Sequence, residues 1–200
     1  MKSLKNIFTG AGMVVCLGMA AQVFAADEID ADDFVDEASA KGIAEVEAGN
    51  LALKKSTSAD VKAFAQQMVA DHTKANAELA QIAKTKKLEV ATEAELKNKA
   101  KALILKQRDG ESFDEAYANN QVMAHKEAIE LFKEGLNTED PDINAYAKAT
   151  LPKLEHHLQM AEALARKTKA LNADGDDRDD DDDHKGHLHS SSASSLPRGF

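Results

Sequence analysis

"MVADHTKANAEL", Met68 to Leu79, belongs to a line of residues that runs Val61, Phe64, Ala65, Met68, His72, Ala75, Leu79, Ile82. Steps of three and four place these on one face of an α-helix, the face that a soluble helix buries. His72 is the polar member of that face. The pattern returns twice. Val122, His125, Ile129, Phe132 and Leu136 form one such line, and Ile143, Ala147, Thr150, Leu154, His157, Ala161 and Leu164 another. Phe34, Ala38, Lys41, Glu45, Ala48 and Ala52 make a fourth, less clean line, with Glu45 near its middle and Glu47 competing for the same role.

No stretch alternates with period two, so the spacing predicts helices throughout. The first helix opens near Asp33 and runs to Lys55, where "KSTSAD" breaks it. Ser58 or Asp60 caps the second, which ends near Lys86. Thr92 with Glu95 reads as a capping box for a shorter helix ending at Asp109-Gly110, and Ser112 with Glu115 as another for a helix to Gly135. Asp140-Pro141 starts a last helix that reaches about Leu171 and absorbs Pro152, a residue that kinks helices. Four long helices with short turns predict an all-α antiparallel four-helix bundle, with a short extra helix between the second and third long ones.

The ends of the chain read differently. Lys2 and Lys5 precede an apolar run and Val-Phe-Ala, the pattern of a secretory signal cut after Ala25. Export to the periplasm follows, and the one cysteine, Cys16, leaves with the signal. Loss of Lys2 and Lys5 takes the formal charge from −10 to −12, which argues against nucleic acid as a partner. The expected domain is residues 26–170. Residues 171–200, rich in Asp, His and Ser, are too polar to build a core and read as a disordered tail. No lipid-anchor or spanning segment follows the signal, so an outer-membrane location finds no support. His184, His187 and His189 of the tail form at most a loose chelator.

Glu45, His72, His125 and His157 each fall near the middle of a helix, and antiparallel packing brings helix midpoints to one level. At a rise of about 1.5 Å per residue, small register differences still let the four side chains converge. Three imidazoles and a carboxylate suit one zinc or copper ion per chain, with Asp71 and Tyr117 as partners that orient the rings. The sequence argues against a di-iron centre, since no domain histidine has Glu or Asp three residues before it. Met68 and Met160 lie a turn from His72 and His157 and read as packing. His156 points away from the His157 face. The alternative is a structural or interaction protein whose histidines form a hydrogen-bonded polar layer without metal. An enzyme is the least supported class, since no nucleophile elbow, phosphate loop or catalytic cysteine is present.

Four motifs, "AEVEAGNLAL" (Ala44 to Leu53), "FAQQMVADHTKANAEL" (Phe64 to Leu79), "FDEAYANNQVMAHKEAIELF" (Phe113 to Phe132) and "LPKLEHHLQMAEAL" (Leu151 to Leu164), carry a resemblance over residues 30–168. In this order they resemble the domain of unknown function 4142 family, exported bacterial proteins often labelled as outer-membrane proteins. The resemblance implies a ferritin-like bundle and a Gram-negative source. It places the family's characteristic positions on Asp71, His72, Phe113, Asp114, Tyr117, His125, Pro152 and His157. These include the three histidines of the apolar stripes.

Overall fold

The computed structural model describes the backbone of residues 29–182 and the side chains of residues 29–173. The expected signal segment, 1–25, lies outside the described residues, as does the tail beyond 182. Among the described residues the regular structure is helical: α1 (Ala31–Lys55), α2 (Ala59–Lys86), α3 (Leu96–Lys106), α4 (Gly110–Glu134) and α5 (Pro141–Asp182).

Side-chain chemistry explains where α2 and α5 begin. Ser58 Oγ accepts from the backbone N–H of Val61 at 3.4 Å. Asp140 Oδ1 accepts from the N–H groups of Asp142 (3.0 Å) and Ile143 (3.1 Å), with Pro141 at the first helical position. The two expected capping boxes do not form. Glu95 and Asp109 are the N-cap residues of α3 and α4, and neither side chain caps its helix. The side chains are engaged elsewhere: Glu95 pairs with Lys41 at 3.5 Å, and the Ser112 hydroxyl accepts from Arg108 Nη1 at 3.0 Å. Gly110, with φ +55, turns the chain into α4 almost without a loop. The backbone of α5 continues past Leu171 to Asp182. A nucleated helix extends at one hydrogen bond per added residue, and no proline interrupts this stretch.

α1 packs on α2 and α4 on α5, and the two pairs lie side by side through α1–α4 and α2–α5 contacts. Small residues let α1 and α2 approach. A Cβ added at Gly49 would fall 2.6 Å from Val69 Cγ2 and 3.2 Å from the Ala65 carbonyl oxygen. Gly42, two turns earlier, is closed in the same way by the Asn76 side chain.

The buried apolar residues form two clusters. Phe34, Leu79, Phe132 and Ile143 belong to one, and Val61, Phe64, Met68, Phe113 and Leu164 to the other. Each long helix passes from one cluster to the other through a buried polar residue: Glu45 on α1, His72 on α2, His125 on α4, His157 on α5. The order of clusters also shows how the halves connect. α2 ends in the Leu79 cluster and α4 begins in the Phe113 cluster, so the segment carrying α3 travels the length of the assembly, against α1 and α4.

Substituting Gly49→Val forces α1 away from the backbone of α2. Overpacking of this kind costs about 1–3 kcal/mol. Urea unfolding of this variant should show a lowered midpoint with an unchanged m-value, and an unchanged midpoint would contradict the close α1–α2 contact.

Candidate metal centre

α2, α4 and α5 each deliver one imidazole to the same level because each histidine replaces an apolar residue on a buried stripe. His72, His125 and His157 are 8%, 1% and 4% exposed. Their ring centroids form a nearly equilateral triangle, 5.6 Å for His72–His125 and 5.5 Å for each of the other pairs. Each ring offers a nitrogen such that all three lie within 4.8 Å of one another.

The partners of the rings fix which nitrogens are free. His125 Nδ1 lies 2.9 Å from the Gln121 carbonyl oxygen, which can only accept. Nδ1 therefore carries the proton, and a neutral ring leaves its lone pair on Nε2. His157 Nε2 donates to Asp71 Oδ2 at 2.9 Å, which leaves the lone pair of the neutral ring on Nδ1. His125 Nε2 and His157 Nδ1 are buried with no protein partner, and so is His72 Nε2. A ring held by one nitrogen and free at the other is the arrangement that metal-ligating histidines adopt.

Burial favours the neutral form of His72 and His157. Burial, followed by the proximity of His125 and His157, lowers the pKa of His72 to about 3. Burial also lowers that of His157, against the hydrogen bond it donates to Asp71, which raises it. Burial pushes the Asp71 carboxyl up, but its hydrogen bonds to Gln67 and His157 outweigh this and hold it below the usual carboxylate range. Asp71 is thus an anion suited to accept from a ring N–H.

The imidazoles face a cavity of about 50 Å³ that Glu45, Asn76 and Thr150 also line. A space of about 10–15 Å³ holds one water, so an ion with one or more waters fits here. Glu45 is 8% exposed and its Oε2 has no protein partner, but its oxygens are not in the set within 4.8 Å. The structure thus joins the three histidines closely and places Glu45 on the wall of their cavity. Asp71 Oδ2 accepts from His157 Nε2 at 2.9 Å. Tyr117 orients no imidazole: it packs against Phe64 and Phe113 in the second apolar cluster, and its hydroxyl makes no hydrogen bond. Glu47 and His156 are exposed. Met68 is fully buried in the second cluster and Met160 packs against it, in agreement with a packing role. The tail histidines lie outside the described residues.

Gln121 is the residue that sequence reasoning passed over. Its carbonyl positions His125, and its side chain is 2% exposed with Oε1 unpartnered. The signal was present, because Gln121 precedes His125 by one turn and extends its stripe back to Tyr117.

Residues 18–164 match the family described as Domain of unknown function (DUF4142). The chain belongs to this family. No curated protein and no solved structure matches it.

The chain has two tyrosines, and burial raises the pKa of both above 10, with Glu45 adding to the effect at Tyr117. Below about pH 10 both states hold their phenol protons and stability is unaffected. As pH rises further the unfolded chain releases protons that the folded chain retains, so stability falls. Ultraviolet titration near pH 10.5 should find little phenolate while the helical circular dichroism persists. Half-ionised tyrosine in a folded chain would contradict the burial.

Proposed function

We propose that this chain is an exported, ferritin-like four-helix protein that binds one transition-metal ion through His72, His125 and His157. The observation that carries the reading is the set of three buried ring nitrogens with no protein partner, two of them on rings whose other nitrogen is held by Asp71 and Gln121. A buried polar group without a partner costs about 1–3 kcal/mol, and an ion removes that cost at all three nitrogens together. Three neutral imidazoles suit zinc or copper. Glu45, on the cavity wall, is the candidate for a fourth, oxygen ligand. The segment connecting α2 to α4 supports the ferritin-like description, since a single long crossover distinguishes such bundles from a simple up-down arrangement.

The signal-like N-terminus supports residence in the periplasm. No helix among the described residues is long and apolar enough to cross a membrane. Storage or buffering of the ion, or protection of the envelope under stress, is the role this reading supports.

Elemental mass spectrometry tests the proposal on the full mature chain, purified without a nickel column and with His184, His187 and His189 replaced by alanine. About one zinc or copper per chain is expected, with loss of the metal in the His72→Ala, His157→Ala double variant. No metal in the parent protein, even after incubation with excess zinc and copper, would leave the histidines as a polar layer of the core. Asp71→Asn should keep the stoichiometry and weaken affinity by about 10–100-fold in a competition titration, as loss of a ring-orienting carboxylate does elsewhere. Unaltered affinity would remove Asp71 from the site.

A further inference from the structure

A second chamber of about 50 Å³ lies between α1, α3 and α4, and Ala44, Glu45, Asn98 and Ala124 line both it and the imidazole cavity. Glu45, Tyr117 and Gln121 line it at 8%, 0% and 2% exposure. Each carries a buried atom with no protein partner: Oε2 of Glu45, the phenolic oxygen of Tyr117 and Oε1 of Gln121. Lys101 of α3 adds a fourth, a buried Nζ that stands 3.6 Å from Glu127 Oε1 and forms no hydrogen bond. The remaining wall includes Ala48, Leu51, Ala102 and Leu105. Three of these polar atoms have no partner in the fold, Lys101 Nζ has only the ion pair with Glu127, and all four residues line one space.

Their chemistry defines what the chamber accepts. The ammonium of Lys101 only donates, the carboxylate and the amide oxygen only accept, and the phenol does both. Glu45 repels an anion and Lys101 repels a cation. A small molecule that both donates and accepts satisfies every atom, and at this volume roughly three or four waters, or one molecule of similar size, find room.

We propose that this chamber binds small uncharged hydroxylic molecules, water first, and passes them by Glu45 to an ion held on His72, His125 and His157. The inference rests on the metal reading for the ion and on the chamber for the route. An ion with three protein ligands keeps a coordination position open, and the wall shared with the chamber is where Glu45 can give way to a guest.

Copper(II) is the probe, because exchangeable water on it speeds the proton relaxation of the solvent. The mature chain lacking the tail histidines is loaded with one equivalent of copper(II), and metal content is measured on the same sample. The parent protein should show relaxation enhancement per bound copper. Ala48→Leu, which fills the chamber, and Ala102→Val, a smaller plug on the partly exposed α3, should each keep copper stoichiometry and helicity while losing at least half of that enhancement. If Ala48→Leu fails to fold, Ala102→Val carries the comparison. Full enhancement in the plugged, copper-loaded protein would overturn the route. So would a copper-loaded parent protein that shows no enhancement. A parent protein that binds no copper would instead overturn the metal reading and this proposal with it.

Discussion

Three imidazoles in mutual proximity, placed where two apolar clusters meet, are the constraint on which the rest of the structure depends. Their ring centroids are 5.5–5.6 Å apart, so none of the three helices can slide or rotate without separating the triangle. One residue of register shift along a helix displaces a side chain by about 1.5 Å and turns it by about 100°. The apolar clusters on either side supply the attraction that holds the rings together. Without that burial, three groups with unpartnered nitrogens would remain in water.

The same layer shows how a helical protein can carry a polar site at its centre. Asp71 and Gln121 each belong to the helix beside or bearing the ring they hold, and each presents an oxygen that can only accept. That single property assigns the ring protons and turns the lone pairs of His125 and His157 away from their hydrogen-bond partners. Burial then keeps His72 and His157 neutral, the state in which an imidazole can ligate. Glu45 and Tyr117 on the adjacent side extend the polarity into the second chamber, which α3 covers. Lys97 and Lys101 pair with Glu127, and Lys55 Nζ donates to the Lys106 carbonyl at 2.7 Å, tying this connecting helix to its neighbours.

Much of this arrangement was legible before any coordinates. The three-four periodicity of α2, α4 and α5 identified the buried faces, since the stripe residues are buried or partly buried, and it placed one histidine on each of them. Helix ends were legible where a local side chain makes the cap, as at Ser58 and Asp140. They were misjudged at α3 and α4, where Glu95 and Ser112 bond to residues outside the expected box. Capping boxes presume that a side chain turns back on its own helix, and a competing partner overrides that.

By itself the sequence determined the helices, their buried faces, the membership of the three histidines in one polar layer and the family to which the chain belongs. These follow from spacing along the chain, which the geometry of the α-helix converts directly into direction. Only the tertiary structure decided that the imidazoles form a triangle while Glu45 stands off on the cavity wall. Tertiary packing also placed Tyr117 in an apolar cluster instead of on a ring, and opened a second chamber under α3. Those outcomes depend on the rotation and separation of helices about their axes. Contacts such as Gly49 against Val69 and Phe34 against Phe132 set these distances, and they join residues far apart in the chain.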